Sequence, residues 1–406
     1  MNEKKIAEIK AGIEFEANRK APPDGFPALP LIPARRYTDP HFYDLELKHV
    51  WRKSWLYAIH GDEVPEPGSY LRWDRMGDPL LFVRDKDGEV RCFYNTCRHR
   101  GAPVATQERG VADGGLVCGY HGWTYNLRGD LINLRDKRDF IGLDTRCRSL
   151  IPVRCESIGR YVFINLEPNG QSLAEFLGPA GKMLQSQQAD SLRLVDKKAY
   201  RVRANLKVAL EGFLETYHIA SLHANTVDRF LDHRGTFINM WPNGHSEMIT
   251  RRRPERSNWV DPGSIGLPEM ETANEIIRTT TMQTFCYPNM AVAWAPTGSP
   301  AMAFWPTGVN SALCEVSWFA PSWGNGPRPE IWDTRINNFE RILMEDLQFQ
   351  EDIQKSLESH GYTGSTLNYQ ERRIYQWHEE ADRLIGEAVP SDLRLPPVLE
   401  PFIVYE

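Results

Sequence analysis

The spacing of apolar residues changes character several times along the chain, and each change predicts a different kind of element. EKKIAEIKAGIEFEANRK sets Ile6, Ile9 and Ile13 at helical spacing. The following APPDGFPALPLIPARR reads as an extended, proline-punctuated arm of the kind that lies on a neighbouring surface. A further helical segment is expected around Asp44 to Leu56. Between residues 60 and 168, GSYLRW, PLLFVRD, KDGEVRCFYN, GLVCGY and YVFINL are short strands cut by Gly, Asp and Pro turns, predicting a small all-β domain. Helical periodicity returns at 172–187 and 205–222. TMQTFCYP, NMAVAWAP, SPAMAFWP and SALCEVSWFAP then predict an antiparallel meander across 280–320, and a long helix runs from Ile331 to Leu357. The poorly patterned stretch 224–280 reads as a loop, which could also serve as a lid. The fold class is α+β, with a helix and arm at 1–49 packing on the C-terminal domain, an all-β domain at 50–168, and a curved antiparallel sheet with packed helices at 169–406.

Composition narrows the class. The 406 residues are 41% hydrophobic and 25% charged, as in ordinary globular proteins. A net charge of -6 with no basic stripe argues against nucleic acid as a partner. No apolar run reaches the ~18 residues of a membrane span, and MNEKKIAEIK lacks the apolar core of a secretory signal, so a cytoplasmic protein without a membrane partner is expected. Seven cysteines, an odd number in a long chain, argue against a disulfide scaffold and for metal ligands or buried thiols.

The most specific pattern is Cys97-Arg98-His99 followed, after 18 residues, by Cys118-Gly119-Tyr120-His121. Each arm offers one thiolate and one imidazole at a glycine-bearing turn. Structural zinc sites usually place two cysteines on one knuckle and two histidines on another. A Rieske 2Fe-2S cluster needs two thiolates on one iron and two imidazoles on the other, which mixed arms supply directly. Zinc, and four unrelated turn residues, remain the alternatives from spacing alone.

CRHRGAP, VCGYHGWTYNLRGDL and the preceding VRDKDGEVRCFYNTC resemble the Rieske domain of ring-hydroxylating oxygenase α subunits, the Rieske non-heme iron oxygenases. The resemblance extends over nearly the whole chain. It implies a Rieske 2Fe-2S domain joined to a mononuclear-iron catalytic domain of helix-grip type.

A second metal site is expected in LKVALEGFLETYHIASLH, residues 206–223. Read as one helix, it stacks Val208, Glu211, Glu215, His218 and Leu222 along a seam, with Glu215 placed to orient the His218 ring. His223 lies about 140° from His218 on a regular helix, so the helix must bend or end between them if both hold one ion. Asp346 interrupts the apolar seam Ile336, Phe339, Leu343, Leu347, Gln350, Ile353 and Leu357 of the long helix; a buried carboxylate there must be neutralised, paired or coordinated. Asp352, on the opposite face with Glu345 and Lys355, reads as a solvated charge. Two histidines and a carboxylate form the facial triad of an iron site open to O2.

The family motif Glu-x3-Asp-x2-His-x4-His stands here as Glu211, Glu215, His218 and His223, with Glu345-Asp346 supplying the third ligand. Glu215 replaces the usual aspartate and Leu206 a frequent tryptophan. The resemblance implies that Glu215 bridges His218 to a Rieske histidine of the next subunit, hence a homotrimer or a trimer completed by a β subunit. Some amine-demethylating relatives also carry Glu there. The chain lacks a GxGxxG fingerprint, so electrons from NAD(P)H are expected through a separate reductase or ferredoxin.

The resulting expectation is a terminal oxygenase that hydroxylates, and by preference dihydroxylates, an aromatic or other hydrophobic substrate with O2. Oxidative N- or O-demethylation and a pure Rieske electron carrier are the alternatives. Arg98, Arg100 and Arg109 could dock an acidic donor or simply face solvent. Arg251-Arg252-Arg253 reads as a solvated loop, with a grip on a substrate carboxylate as its second reading. Phe285, Met290, Trp294, Met302, Phe304, Trp305 and Trp318 suit a pocket or a core equally, and Cys92, Cys147, Cys155, Cys286 and Cys314 are expected to be buried thiols.

Overall fold

The structure is a computed structural model that describes residues 3–256 and 261–405. It divides into two units, Tyr57–Leu173 and a second formed by Met1–Leu56 with Ala174–Glu406.

In the first unit, strands rich in Leu, Val, Phe and Tyr build an antiparallel sheet. Its described order is Leu56–His60, Tyr161–Asn165, Pro152–Ile158, Val90–Tyr94, Leu80–Arg84, Ser69–Trp73, Arg109–Val111. A smaller three-stranded sheet, Leu116–Val117, Thr124–Tyr125 and Leu131–Asn133, carries the second Cys/His arm. Leu81, Val83, Phe93, Leu116, Trp123 and Tyr125 share one core with Cys97 and Cys118. Both arms close alike. The Cys97 N–H donates to Ala102 O (2.8 Å) and Gly101 N–H to Cys97 O (3.0 Å); Cys118 N–H donates to Trp123 O (2.9 Å) and Gly122 N–H to Cys118 O (3.0 Å). Gly101 and Gly122 take φ values of 78° and 73°, the left-handed turn that side chains resist.

The second unit holds a seven-stranded antiparallel sheet ordered Arg193–Val202, Ser311–Ala320, Ser299–Gly308, Met290–Trp294, Thr280–Cys286, Ser246–Arg252, Leu231–Met240. The four strands of the expected meander are its centre. Thr280–Cys286 and Ser311–Ala320 are buried at nearly every residue, so both sheet faces are covered. The long helix Ile331–Leu357 packs on Arg193–Val202 and on the short helix Leu206–Glu211. The N-terminal helix Glu3–Asn18 buries Ile9 and Ile13 and packs along Leu231–Met240.

Several expected elements differ. The segment near Asp44 is a helix, Pro40–Glu46, running into a π-helical turn, Leu47–Trp51, and Leu56 already opens a strand. The helix at 172–187 is two helices, Leu173–Leu177 and Pro179–Ser186, because Gly178 turns to φ 48° and Pro179 starts the second. The stretch 224–280 is no mere loop: it contains Leu231–Met240 and Ser246–Arg252, strands whose polar residues hide the alternation. Helix Arg372–Ile385 carries no legible apolar stripe, because its buried positions include Arg372, Arg373, His378, Glu380 and Asp382. Cys147 is exposed and Cys155 partly exposed rather than buried.

Candidate functional site

The 205–222 region is broken before the histidines. Helix Leu206–Glu211 stops at Gly212, where tight turns follow: Phe213 N–H to Leu210 O and Leu214 N–H to Glu211 O, both 2.9 Å. The chain there runs close to the long helix, since a Cβ on Gly212 would lie 3.4 Å from Gln350 Nε2 and 3.9 Å from Asp346 Oδ1. A new turn, Ile219–Leu222, then begins with His218 at its N-cap and His223 at its C-cap. Two histidines that a continuous helix would splay apart therefore converge, with ring centroids 5.1 Å apart. The helix is broken upstream of His218 and its second turn also ends between the two histidines, at Leu222, as their joint use requires.

His223 Nε2 lies 3.2 Å and His218 Nε2 3.7 Å from Asp346 Oδ1. Among the described residues, His218, His223 and Asp346 are the one group of three or more His, Cys, Asp or Glu donors mutually within 4.8 Å. The opposite ring nitrogens are held by carboxylates, His218 Nδ1 by Glu215 Oε1 at 2.5 Å and His223 Nδ1 by Glu345 Oε2 at 2.6 Å. Carboxylates only accept, so each Nδ1 carries a proton, and with a cation at the centre each Nε2 would turn its lone pair to it. Glu215 is fixed by backbone donors from Tyr217 and His218. Glu345 is fixed by the Thr226 hydroxyl at 2.8 Å.

Burial pulls both imidazoles down, yet the carboxylates reverse this. Glu215 and Asp346 leave His218, and Asp346 and Glu345 leave His223, above the ordinary histidine value. The same carboxylates that favour charged imidazoles here would favour a bound cation.

The first unit's donors pair differently. His99 Nδ1 and His121 Nδ1 face each other at 3.1 Å, while Cys97 and Cys118 lie buried beside one another. The Tyr125 hydroxyl sits 3.3 Å from Cys97 Sγ and receives the Arg98 N–H at 3.0 Å. The His99 ring stacks on Trp123, centroids 5.0 Å apart and 8° from parallel. Burial, with His121 and Arg100, lowers the His99 pKa and favours the neutral ring that a metal needs. Thiols together and imidazoles together fit a binuclear cluster with unlike irons better than one zinc ion.

Residues 54–147 match the family described as Rieske [2Fe-2S] domain, and residues 189–387 match Ring hydroxylating alpha subunit (catalytic domain). The chain belongs to the Rieske ring-hydroxylating oxygenases. Its cofactors are a Rieske [2Fe-2S] cluster and a non-heme iron. The carnitine monooxygenase oxygenase subunit of Escherichia coli (strain K12) is 34% identical over 212 residues, covering 51% of this chain and 56% of the relative. The large oxygenase component of the 2,4-dinitrotoluene dioxygenase system of Burkholderia sp. (strain RASC) is 33% identical over 196 residues, 47% of this chain and 43% of the relative. The match thus spans about half the length of these curated relatives. In fold, the chain is similar to the quaternary ammonium Rieske monooxygenase CntA solved with L-carnitine, with TM-score 0.73 and 22% identity over 91% of this chain and 100% of the other.

Other residues singled out in the sequence find different settings. Glu211 does not join the histidines: it accepts from the Tyr37 hydroxyl at 2.9 Å and faces His378 Nε2 at 2.9 Å. The helix break at Gly212 turns Glu211 away from the Glu215 face. Arg36 Nε donates to His378 Nδ1 at 3.2 Å, so the His378 proton sits on Nε2 and points to Glu211. Burial pushes Glu211 up to about 8. Asp352 is exposed and pairs with Lys355, as expected. Glu345, placed on the face of the helix opposite the apolar seam with Asp352, instead orients His223. Arg109 pairs with Glu63, and Arg100 lies over the Tyr120 ring, so neither is a bare surface charge. Arg251 pairs with Asp232 and Arg253 with Asp228, while Arg252 turns into a cavity of about 770 Å³. Among the described residues, no helix is long and apolar enough to cross a membrane.

Proposed function

We propose that the chain is a terminal oxygenase, with His218, His223 and Asp346 holding the mononuclear iron and Cys97, His99, Cys118 and His121 holding the Rieske cluster. The convergence of two Nε2 atoms and one carboxylate oxygen supports this reading over a pure electron carrier, which needs no second metal site. In such an enzyme the cluster supplies electrons singly and the iron supplies O2 activation. Glu215 and Glu345 would keep the imidazoles in the ligating tautomer, and Asp346 would hold the ion with them. Electrons come from NAD(P)H through a separate ferredoxin or reductase, and Glu215 bridges subunits of a homotrimer. The proposal retains the division into an arm at 1–49, a cluster domain at 50–168 and a catalytic domain at 169–406.

For the reaction, we favour monooxygenation of a C–H bond next to nitrogen or oxygen, followed by loss of that carbon. Glu at position 215, the likeness to a carnitine monooxygenase subunit and the charged walls of the adjoining cavity support this over the hydrophobic arene first expected. Trp294, Trp318 and Phe339 along the same cavity favour a second reading, dihydroxylation of an aromatic ring. The test is a single turnover of chemically reduced holoprotein with 18O2 and a mixture of methylamines, methoxyarenes, aromatic acids and neutral arenes. Loss of a carbon fragment as labelled aldehyde, or of methyl as formaldehyde, supports monooxygenation. A product carrying two labelled oxygens supports dihydroxylation, and no product from iron-replete protein would remove the oxygenase reading.

A further inference from the structure

The cavity shares a wall with the iron centre. Thr226 lines it and also holds Glu345, the residue that orients His223; Ile342, also in its lining, sits one helical turn before Asp346. Its remaining chemistry is lopsided. Six arginines line it, at positions 229, 252, 256, 278, 335 and 341, against two carboxylates, Asp261 and Glu269. Arg278 already occupies Glu269 at 2.8 Å.

Arg335 is the most telling of the six. It projects from the long helix, is 7% exposed and stacks on Trp332 at 4.7 Å. Its guanidinium donates to the Thr297 hydroxyl and to Gly298 O (2.7 Å), both neutral. Burial lowers its pKa to about 10, with the Asp261 charge only partly opposing, so it remains a cation at neutral pH. A buried guanidinium bonded only to neutral oxygens leaves a strong electrostatic demand for an anion. Arg252, from strand Ser246–Arg252, lines the same cavity and is also shifted down by burial. Trp294, Trp318 and Phe339 provide the apolar remainder of the wall.

We infer that this cavity is a carboxylate-recognition subsite: the substrate carries a carboxylate that Arg335 and Arg252 engage, with its apolar or methylated end directed toward His218, His223 and Asp346. The planar guanidinium fork matches a carboxylate in a way that a neutral amide cannot reproduce. This deepens the oxygenase reading above and rests on it for the identity of the reacting end. The arrangement also orders the surrounding chemistry, since the reaction supplying this substrate must leave an acid, not an ester or amide.

The test uses anaerobic holoprotein at constant ionic strength and matched acid and amide probes: γ-butyrobetaine with its primary amide, 4-methoxybenzoate with 4-methoxybenzamide, and 4-(dimethylamino)benzoate with its amide. Binding is followed by calorimetry and by shift of the thermal midpoint. At least one acid is expected to bind ~10- to 100-fold more tightly than its amide, the range expected of a charged, two-point hydrogen bond. Arg252→Gln should erase most of that ratio while leaving iron content unchanged. Arg335→Lys, which keeps the charge but loses the fork, should retain part of it, and Arg335→Gln none. A panel in which no acid exceeds its amide, or a preference that survives both Arg252→Gln and Arg335→Gln, overturns the subsite. Because binding needs no turnover, acids that bind without forming product would retain the subsite and sink the oxygenase reading. Product formed equally well from acids and amides would do the reverse.

Discussion

The proposed cluster donors and the proposed iron donors are assembled in opposite ways. Cys97 with His99, and Cys118 with His121, come from two short loops closed by the same pair of backbone hydrogen bonds, each with a left-handed glycine four residues past its cysteine. Their imidazoles face each other, and His99 leans on the flat of Trp123. His223 and Asp346, by contrast, are 123 residues apart in sequence, and His218 and His223 are each clamped by a carboxylate of their own. The first site takes its shape from local backbone. The second takes it from side chains of separate elements, which exposes it to single substitutions that the first would not feel.

The largest test of that contrast is His218→Ala. The variant should lose the mononuclear iron, so iron per chain falls from about three atoms to about two, with sulfide and the cluster's visible absorption unchanged. Single-turnover product should vanish. If the cluster absorption disappears as well, the two sites are not independently built and the comparison fails.

Glu215→Gln comes next. Glu215 accepts from the His218 ring and from two backbone N–H groups, so the amide keeps an acceptor but loses the charge. Activity should fall ~10- to 100-fold with the iron largely retained. Pre-reduced single turnover and steady-state turnover separate its two roles. An equal fall in both means Glu215 only orients His218; a larger fall in the steady state supports an electron route through it.

Glu345→Gln should have a smaller effect. His223 and Thr226 hold the Glu345 carboxyl below its ordinary value against the opposing effect of partial burial. Removing its charge should weaken iron binding ~10-fold, read by competition with a chelator, and should leave the His99 and His121 environment untouched. Unchanged iron affinity would mean the carboxylate clamp on His223 is dispensable, and the contrast between the two sites would then rest on His218 alone.

The same contrast explains what could be read from the chain without its structure. The cluster loops were legible because all their determinants lie within a few residues, so Cys-x-His and Cys-x2-His spacing carries the geometry. The long helix was legible because Asp346 visibly breaks an apolar seam, and the described helix spans the expected Ile331–Leu357. The path from Glu211 to His218 was not. Helical periodicity continues through Gly212, and only packing against Gln350 and Asp346 reveals that the backbone leaves the helix there. Helix Arg372–Ile385 was hidden for a related reason: its buried charges are satisfied by distant partners, as where Arg36 meets Asp382 at 2.8 Å. A polar segment becomes interior when its counter-charges arrive from far along the chain, and local patterning carries no trace of them.

Glu211 should have the smallest effect on the two metal sites and the most diagnostic effect on stability, because it lies in that distant-partner network. Its pKa is about 8 in the folded protein against an ordinary 4.5, raised by burial despite the Tyr37 hydroxyl. A carboxyl raised in this way leaves stability intact below its ordinary value. As pH rises from there, the unfolded chain ionises while the folded one stays protonated, and stability declines by up to ~1.4 kcal/mol per pH unit until the folded group ionises near 8. Glu371, raised to about 7 mainly by burial, slopes the same way and is present in both proteins, so the difference between wild type and Glu211→Gln isolates Glu211. Urea midpoints at pH 5, 6.5 and 8 should fall with pH more steeply in the wild type than in Glu211→Gln, with iron and sulfide content equal. Parallel curves would mean that Glu211 is already ionised when folded, held by Tyr37 and His378, and that the Glu211 network is matched as fully in charge as the iron site's carboxylate clamps.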